Sequence, residues 1–470
     1  MATISSPGIG SGLDIKSIVS QLVALEKQPL SKLQVQAAAV QTRISAFGQI
    51  KSLISTVSDA ATSLNSLTTY NAVKTTSTNS KAVGVSAIGG TAANSFSVKV
   101  DNLAKAHATA SGTLLPIGGA LGAGTLRLQL GKWTVVPVSF TPQPGVAPVD
   151  IEITASDSVA EVASKINGAN AGLSATVLND GTGQRLLLRS NTTGTAAEFE
   201  LSVLSDADGN PADALGLSRL TAGATTTYGE DAQIQINNIP VTSATNTFTD
   251  VVSGVTLTAG DLSATAVEVT VQPDPAVAKA AVDRFVTAYN AVNGLINELT
   301  KYDPATKAGG LLQGDATAIG LQNALRGILQ STTAGSAYSR LADIGVTQLL
   351  GGDLAADSSK LATALANGDE VKKLFRNDNA NNLTDGVALK FKTFSQGLLA
   401  ADGYFSSKDA SLKRSLELNA KDQTRLNEKV ARVEAQLNRR YSALDVQLNQ
   451  LTGLNNYIAQ QVIQWNRNTR

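Results

Sequence analysis

Along the last forty-five residues, apolar side chains recur at Leu426, Val430, Val433, Leu437, Tyr441, Leu444, Leu448, Leu451, Ile458, Val462 and Trp465. The steps are 4, 3, 4, 4, 3, 4 and 3, then a seven-residue interval with Asn455 in the vacant core slot, then 4 and 3. That is the spacing of helices that pack side by side. One step departs from the heptad: the four-residue interval from Leu437 to Tyr441 is a stutter that skips Arg440, so the local supercoil should relax. Asn455 in a core slot fixes register at some cost in stability. An intramolecular helical hairpin would carry the same seam. The apolar gain of the seam alone does not offset the entropy of ordering its backbone, however, so both termini should fray in a monomer and order when neighbouring subunits cover them.

A similar seam opens the chain. Ser11 and Asp14 have capping-box spacing ahead of Ile15, Ile18, Leu22 and Leu25, which predicts a helix from near Leu13. Pro29 lacks the amide donor and crowds the preceding turn, which predicts a kink or short break before the pattern restarts through Leu33, Ala37, Val40, Ile44 and Phe47. The stripe continues, one three-residue step out of phase, through Ile50, Ile54, Val57, Ala61 and Leu64.

From about Thr69 the period falls to two, the alternation of a half-buried strand. Strands are predicted at 82–87, 96–100, 126–130, 135–140, 173–178, 185–189, 199–204, 232–239, 255–259 and 267–271, with one short helix at 158–168 and loops at 118–124 and 141–148. Short strands at this spacing suggest sandwiches or small α+β modules. Pro273-Asp-Pro275 marks the return to helix, with Val277, Ala281, Phe285, Ala288, Val292 and Leu295 on one face. Further helices are predicted at 314–330, 358–365, 369–375 and 384–399, and Gly403 is the expected turn into the long tail. As one helix, 406–465 would span ~90 Å at 1.5 Å per residue. The fold class is therefore α+β multidomain, with coiled-coil-like terminal helices and a helical leg domain, and β-rich (sandwich-like or α+β) head domains inserted in the middle.

Composition removes most chemistry. Of 470 residues none is cysteine and one, His107, is histidine, which leaves neither disulfides nor thiolate metal sites and little for acid-base work. Lys plus Arg equals Asp plus Glu at 38 each, so the overall balance asks for neither nucleic acid nor an anionic membrane. The distribution is uneven: 150–274 carries sixteen acidic and four basic residues, whereas 406–470 carries eleven basic and six acidic. The middle and the tail face different surroundings. No apolar run approaches the ~20 residues needed to cross a bilayer, and the first fifteen residues hold no Lys, Arg or apolar signal core. A cytoplasmic address is the default expectation from this, and a protein exported by a dedicated machine would look the same.

The motifs that could bind small ligands are weak. Gly8-Ile-Gly-Ser-Gly12 has phosphate-loop composition but neither the preceding strand nor the third-glycine spacing. Asp206, Asp208 and Asn210 resemble the start of a calcium loop, but glycine falls at position four and no acidic residue at position twelve, so a turn is the better reading. His107 reads as a surface or packed residue rather than a ligand. Trp133 and Trp465 read as packing or interface residues, with Trp465 the better interface candidate because it ends the seam. No catalytic, cofactor-binding or metal residues are assigned.

Several blocks, in one order, resemble the bacterial flagellar hook-associated protein 2 (filament-capping) family. They are Gly10-Ser-Gly-Leu-Asp-Ile15 with Glu26-Lys-Gln-Pro-Leu30; Val162-Ala-Ser-Lys-Ile-Asn-Gly168 leading to Val177-Leu-Asn-Asp-Gly-Thr-Gly-Gln-Arg-Leu186; Gln235-Ile-Asn-Asn-Ile-Pro-Val241 with 246–257; Leu312-Gln-Gly-Asp315; Val371-Lys-Lys-Leu-Phe375; and Arg440-Tyr-Ser-Ala-Leu-Asp445. The resemblance implies a ring homo-oligomer, a pentamer or hexamer, at the distal tip of the extracellular flagellum, where it retains exported flagellin and promotes its folding and insertion. The implied partners are further copies of the chain, flagellin, hook-filament junction proteins and the flagellar type III export apparatus with a dedicated export chaperone; nucleic acid and membrane insertion are not implied, and host surface glycans belong to an adhesin reading of the head domains that could coexist with capping. The implied organisation is terminal helices at 1–40 and 431–470, a helical leg at 41–70 and 274–430, a β-rich head at 71–106 and 231–273, and an inserted outer head at 107–230, of which 107–148 is the least typical part. Subunit and filament contacts are assigned to Leu22, Leu25, Leu33, Ile44, Leu444, Leu448, Leu451, Ile458 and Trp465. Another axial or junction protein, an adhesin built on the head domains, and an enzyme on the β scaffold are the competing readings.

Overall fold

Asp14 caps the first helix: its Oδ1 accepts a hydrogen bond from the Ser17 amide at 3.0 Å, satisfying one of the free donors of the opening turn. The structure, a computed structural model, describes residues 14–305 and 307–468. Ser11, Leu13 and the Gly8–Gly12 run lie outside the described residues.

The α-helices are α1 (Ile15–Leu64), α2 (Leu67–Tyr70), α3 (Val159–Gly168), α4 (Pro275–Thr300), α5 (Ala316–Gln330), α6 (Ser358–Leu365), α7 (Gly368–Arg376), α8 (Val387–Leu399) and α9 (Tyr404–Asn468). The strands of the middle are β1 (Val73–Ser77), β2 (Val83–Ala87), β3 (Asn94–Asn102), β4 (Ala108–Ala110), β5 (Gly124–Val135), β6 (Val138–Pro142), β7 (Val149–Ile153), β8 (Leu173–Asn179), β9 (Gln184–Ser190), β10 (Glu198–Asp206), β11 (Thr225–Thr227), β12 (Ala232–Ile236), β13 (Ile239–Ser243), β14 (Thr247–Val252), β15 (Val255–Ala259) and β16 (Val267–Pro273). Four short strands follow among the helices: β17 (Tyr302–Asp303), β18 (Ala308–Gly309), β19 (Val346–Gln348) and β20 (Leu354–Ala356). The fold is thus α+β, with long terminal helices and sheets between them.

The chain forms two compact units, one made of the residues up to Tyr70 with those from Pro275 onward, the other of Asn71–Asp274. In the helical unit Ile50, Ile54, Val57, Ala61 and Leu64 of α1 are fully buried, as their spacing predicts, against Phe285, Tyr289, Val292 and Ile296 of α4 and Phe391 of α8. The break expected at Pro29 does not occur. α1 runs through it for 50 residues. Pro29 lies on an exposed face, so the carbonyl that loses its amide partner there can be solvated rather than buried.

The Asn71–Asp274 unit holds two separate cores. One lies between the sheet β1-β16-β3-β12-β13 and the sheet β14-β15-β2, and includes Val98, Val269, Phe248 and Leu257. The other lies among the sheet β10-β5-β6, with β7 also on β5, the sheet β11-β4-β9-β8, and α3, and includes Leu126, Leu188, Val162, Ile166 and Phe199. α3 begins at a capping box in which Ser158 and Glu161 satisfy each other's amides. Two predicted strands are each broken by a turn. The 232–239 run divides at Asn237 and Asn238, both at positive φ (48° and 66°), a conformation asparagine tolerates and a two-residue hairpin requires. The 135–140 run divides at Val136-Pro137, where β5 turns into β6.

His107 immediately precedes β4 and is buried, edge-on to Phe199 with ring centroids 4.6 Å apart. Its Nδ1 lies 3.9 Å from Oε1 of Glu198, a buried carboxylate that accepts from the Trp133 amide at 2.6 Å and the Gly229 amide at 2.9 Å. Burial pushes the imidazole down to about 4, and burial also pushes the Glu198 carboxyl up, against the two amides that favour its charge. Between the ordinary histidine value and 4 the unfolded chain binds a proton that the folded chain refuses. The His107 contribution to stability is therefore intact above pH ~6.5 and lost toward pH ~4, by at most about 3 kcal/mol, with Glu198 opposing part of the slope. The single imidazole resonance should stay in its neutral position at pH ~5.5, where an unperturbed histidine would be mostly charged. A midpoint near pH ~6.5 would rule out the buried site.

Candidate assembly interface

α1 and α9 lie antiparallel, and their contacts follow one register. Phe47 lies under the Lys408 ammonium, 4.9 Å from ring centroid to Nζ; Asn419 Nδ2 donates to the Leu33 carbonyl at 3.0 Å; and Lys429 pairs with Glu26 at 3.1 Å. Lys408 also pairs with Asp315 at 3.1 Å. Burial alone would raise the Asp315 carboxyl, but the hydrogen bonds from Lys408 and Thr317 outweigh it and hold the group below its ordinary range. On the outer surface of α9, Lys421 pairs with Glu417 at 2.6 Å, one turn away, and holds that carboxyl low.

At the far end of the pair Ile15, Val19 and Val23 are buried with Val430, and Leu426, Leu437 and Tyr441 pack against them. The buried face of this part of α1 is therefore turned from the 15, 18, 22, 25 stripe. Leu22, Leu33 and Ile44 are half-buried, and Leu25 is 59 % exposed. Val19 and Val23 were legible as part of an i, i+4, i+8 stripe, but two apolar stripes overlap on this helix and the spacing does not rank them. The stutter in α9 is visible: Val433, Leu437 and Tyr441 are half-buried while Arg440 is exposed.

Beyond Tyr441 the character of α9 changes. Leu448 is half-buried, and Leu444, Leu451, Ile458, Val462 and Trp465 are exposed, Leu451 by 61 %. Asn455, in the vacant slot of the seam, is exposed too. The assigned contact residues thus fall into two sets, one on the α1–α9 pair and one along the exposed end of α9. A row of exposed apolar residues this long marks an interaction surface.

Among the described residues no group of three His, Asp or Glu side chains is placed to hold a metal ion. Asp206 accepts from the Ser218 amide at 2.9 Å and its hydroxyl at 3.1 Å, and Asp208 from the Asn210 amide at 2.9 Å, so these carboxylates fix a turn. Trp133 is a packing residue, its Nε1 donating to the Phe199 carbonyl at 3.0 Å. Among the described residues no helix is long and apolar enough to cross a membrane.

Three family descriptions match the sequence: flagellar hook-associated protein 2 N-terminus over residues 11–107, flagellin hook IN motif over 139–192, and flagellar hook-associated protein 2 C-terminus over 229–453. The B-type flagellar hook-associated protein 2 of Pseudomonas aeruginosa is 30 % identical over 85 % of this chain and 86 % of its own length. The chain belongs to the flagellar hook-associated protein 2 family. The Escherichia coli K12 flagellar hook-associated protein 2 is 28 % identical over 98 % of both chains. The crystal structure of the D1-D2-D3 domains of the E. coli flagellar cap protein FliD superposes with a TM-score of 0.61 at 26 % identity, covering 78 % of this chain and 99 % of that one. The family is a structural one and not an enzyme family.

Proposed function

We propose that this protein caps the flagellar filament: several copies form a ring, of five or six, at the distal tip of the extracellular flagellum, retain exported flagellin, and promote its folding and insertion. Family membership along nearly the whole chain supports the cap itself. The observation that carries the assembly reading is the exposed apolar end of α9, where Leu444, Leu451 and Ile458 face solvent on a helix already packed to α1 at its other end. Such a surface is stabilised when neighbouring subunits or the filament cover it. The two β cores of 71–274 are suited to the head, as an inner module at 71–106 and 231–273 and an inserted outer one at 107–230.

In this reading the helical leg spans 41–70 and 274–430, and the ends at 1–40 and 431–470 meet the filament and the neighbouring subunits. Leu22, Leu25, Leu33, Ile44, Leu444, Leu448, Leu451, Ile458 and Trp465 are assigned to those contacts. The remaining partners are the hook-filament junction proteins, the type III export apparatus and its chaperone. The test is electron microscopy of the purified full-length protein and of labelled cells. Closed rings in vitro and label at filament tips alone are expected; label along the filament or at the hook would replace the cap with another axial role.

A further inference from the structure

The turn of the β19–β20 hairpin displays two leucines to solvent: Leu349 is 55 % exposed and Leu350 fully so, at 103 %. The hairpin is nevertheless held by an unusual concentration of polar contacts. The Gly351 carbonyl accepts from Asn293 Nδ2 at 3.0 Å, Asn297 Nδ2 at 3.0 Å and Arg326 Nη2 at 2.7 Å. Asn293, itself buried, also donates to Asp353 Oδ1 at 2.7 Å, and Asn290 exchanges two hydrogen bonds with the Leu354 backbone. Gly351 and Gly352 both take positive φ, and a side chain on Gly352 would strike the Arg326 guanidinium. A turn with two glycines would otherwise flex. Here it is fixed, and what the fixing presents is an apolar pair in water, the arrangement of a preorganised contact.

The helical unit also has a groove with apolar lining. A cavity of about 400 Å³ opens between α5, α8 and the segment before α8, lined by Ala324, Gly327, Ile328, Leu383 and Phe394. Lys390 and Asp385 also line it, and the ammonium donates to Ser331 Oγ at 2.8 Å, the Thr332 carbonyl at 2.9 Å and the Leu383 carbonyl at 2.9 Å.

The leucine pair and the groove occupy opposite faces of one helix. Gln322, Arg326 and Gln330 of α5 face the α4–hairpin side, as their bonds to Asn297, Gly351 and Gln348 require. Ile328 and Ala324 lie about 160° round the helix from Arg326. The hairpin of one molecule therefore cannot fill its own groove. An apolar projection on one side and an apolar recess on the other can make a head-to-tail contact between copies, which closes into a ring when its rotation permits.

We propose that Leu349 and Leu350 of one copy insert into the Ala324–Gly327–Ile328–Phe394 groove of the next, a leg-to-leg contact separate from the terminal seams. This inference rests on the ring reading above, and the experiment separates the two. Leu350→Glu changes only the exposed tip. Gly327→Lys fills the groove from a helix position where an added side chain meets open space, and it replaces the poorest ordinary helix former, so both variants should fold. In the full-length chain, sedimentation velocity against concentration should show each variant assembling at concentrations about tenfold or more above wild type. An equal mixture of the two should recover to within about threefold of wild type, because unmodified tip meets unmodified groove at some contacts and Glu meets Lys at the others. If wild type assembles and both variants match it, the leg-to-leg contact is wrong and the ring stands. If wild type stays monomeric throughout, both readings fall.

Discussion

Leu451→Asp combined with Ile458→Asp is expected to abolish swimming and to release flagellin into the medium. Both side chains are exposed on α9 among the described residues. The monomer should therefore tolerate the change, with thermal unfolding shifted by no more than the ~0.5 kcal/mol usual for surface substitutions. In the assembled cap the same positions would be covered. Each substitution removes the ~1.5 to 3 kcal/mol of a buried Leu or Ile and places a carboxylate where water is excluded, and the loss repeats in every subunit. Deleting residues 1–40 and 430–470 should give the same phenotype less cleanly, because it also removes Ile15, Val19, Val23 and Val430, which pack the α1–α9 pair. Normal swarming by the double-aspartate strain, at wild-type protein levels, would remove the terminal helix from the assembly surface.

Phe391→Ala should cost about 3 to 5 kcal/mol of the stability of the helical unit. Phe391 is fully buried, with ring centroids 5.0 Å from Phe285 at 79° and 6.3 Å from Tyr289 at 86°, both edge-on. It joins α8 to α4 beneath the buried stripe of α1, so truncation leaves a cavity at the meeting of three helices, with loss of the edge-to-face contacts. Urea unfolding should then show the transition of this unit moved to lower denaturant while that of Asn71–Asp274, which has its own cores, stays in place. A single unshifted transition would contradict the core described.

Most elements could be read from residues alone because their apolar period is long or strict. The 50–64 stripe of α1, the helix after Pro275, α6 and the strands centred on Phe96, Leu126 and Val269 are of this kind. Three features depart from the local pattern for identifiable reasons. Pro29 is a helix breaker by rule, but exposure of its face lets α1 continue. Asn237-Asn238 sits inside an unbroken alternation, and only the left-handed backbone at both residues turns one strand into two. β1 and β14 (Val73–Ser77, Thr247–Val252) are rich in Thr, so their alternation is shallow, and pairing to β16 and β15 is what makes them strands; β7, Val149-Asp-Ile-Glu-Ile153, alternates fully but is only five residues long, directly after a Pro-rich loop.

The sequence by itself determined the order of helical ends and β middle, the absence of cysteine and the scarcity of histidine, the seam of α9, and the blocks that resemble the hook-associated family. Periodicity can do this because it is a local property: it says which side of an element avoids water. The tertiary structure alone decided what that side meets. It turned Ile15, Val19 and Val23 toward Val430 in place of the 15, 18, 22, 25 stripe, left Leu451 and Ile458 exposed, buried His107 beside Glu198, and gathered Asn290, Asn293, Asn297 and Arg326 around a hairpin more than fifty residues beyond the first of them. Those outcomes depend on side chains far apart in the chain competing for the same partners, a choice that no local pattern records.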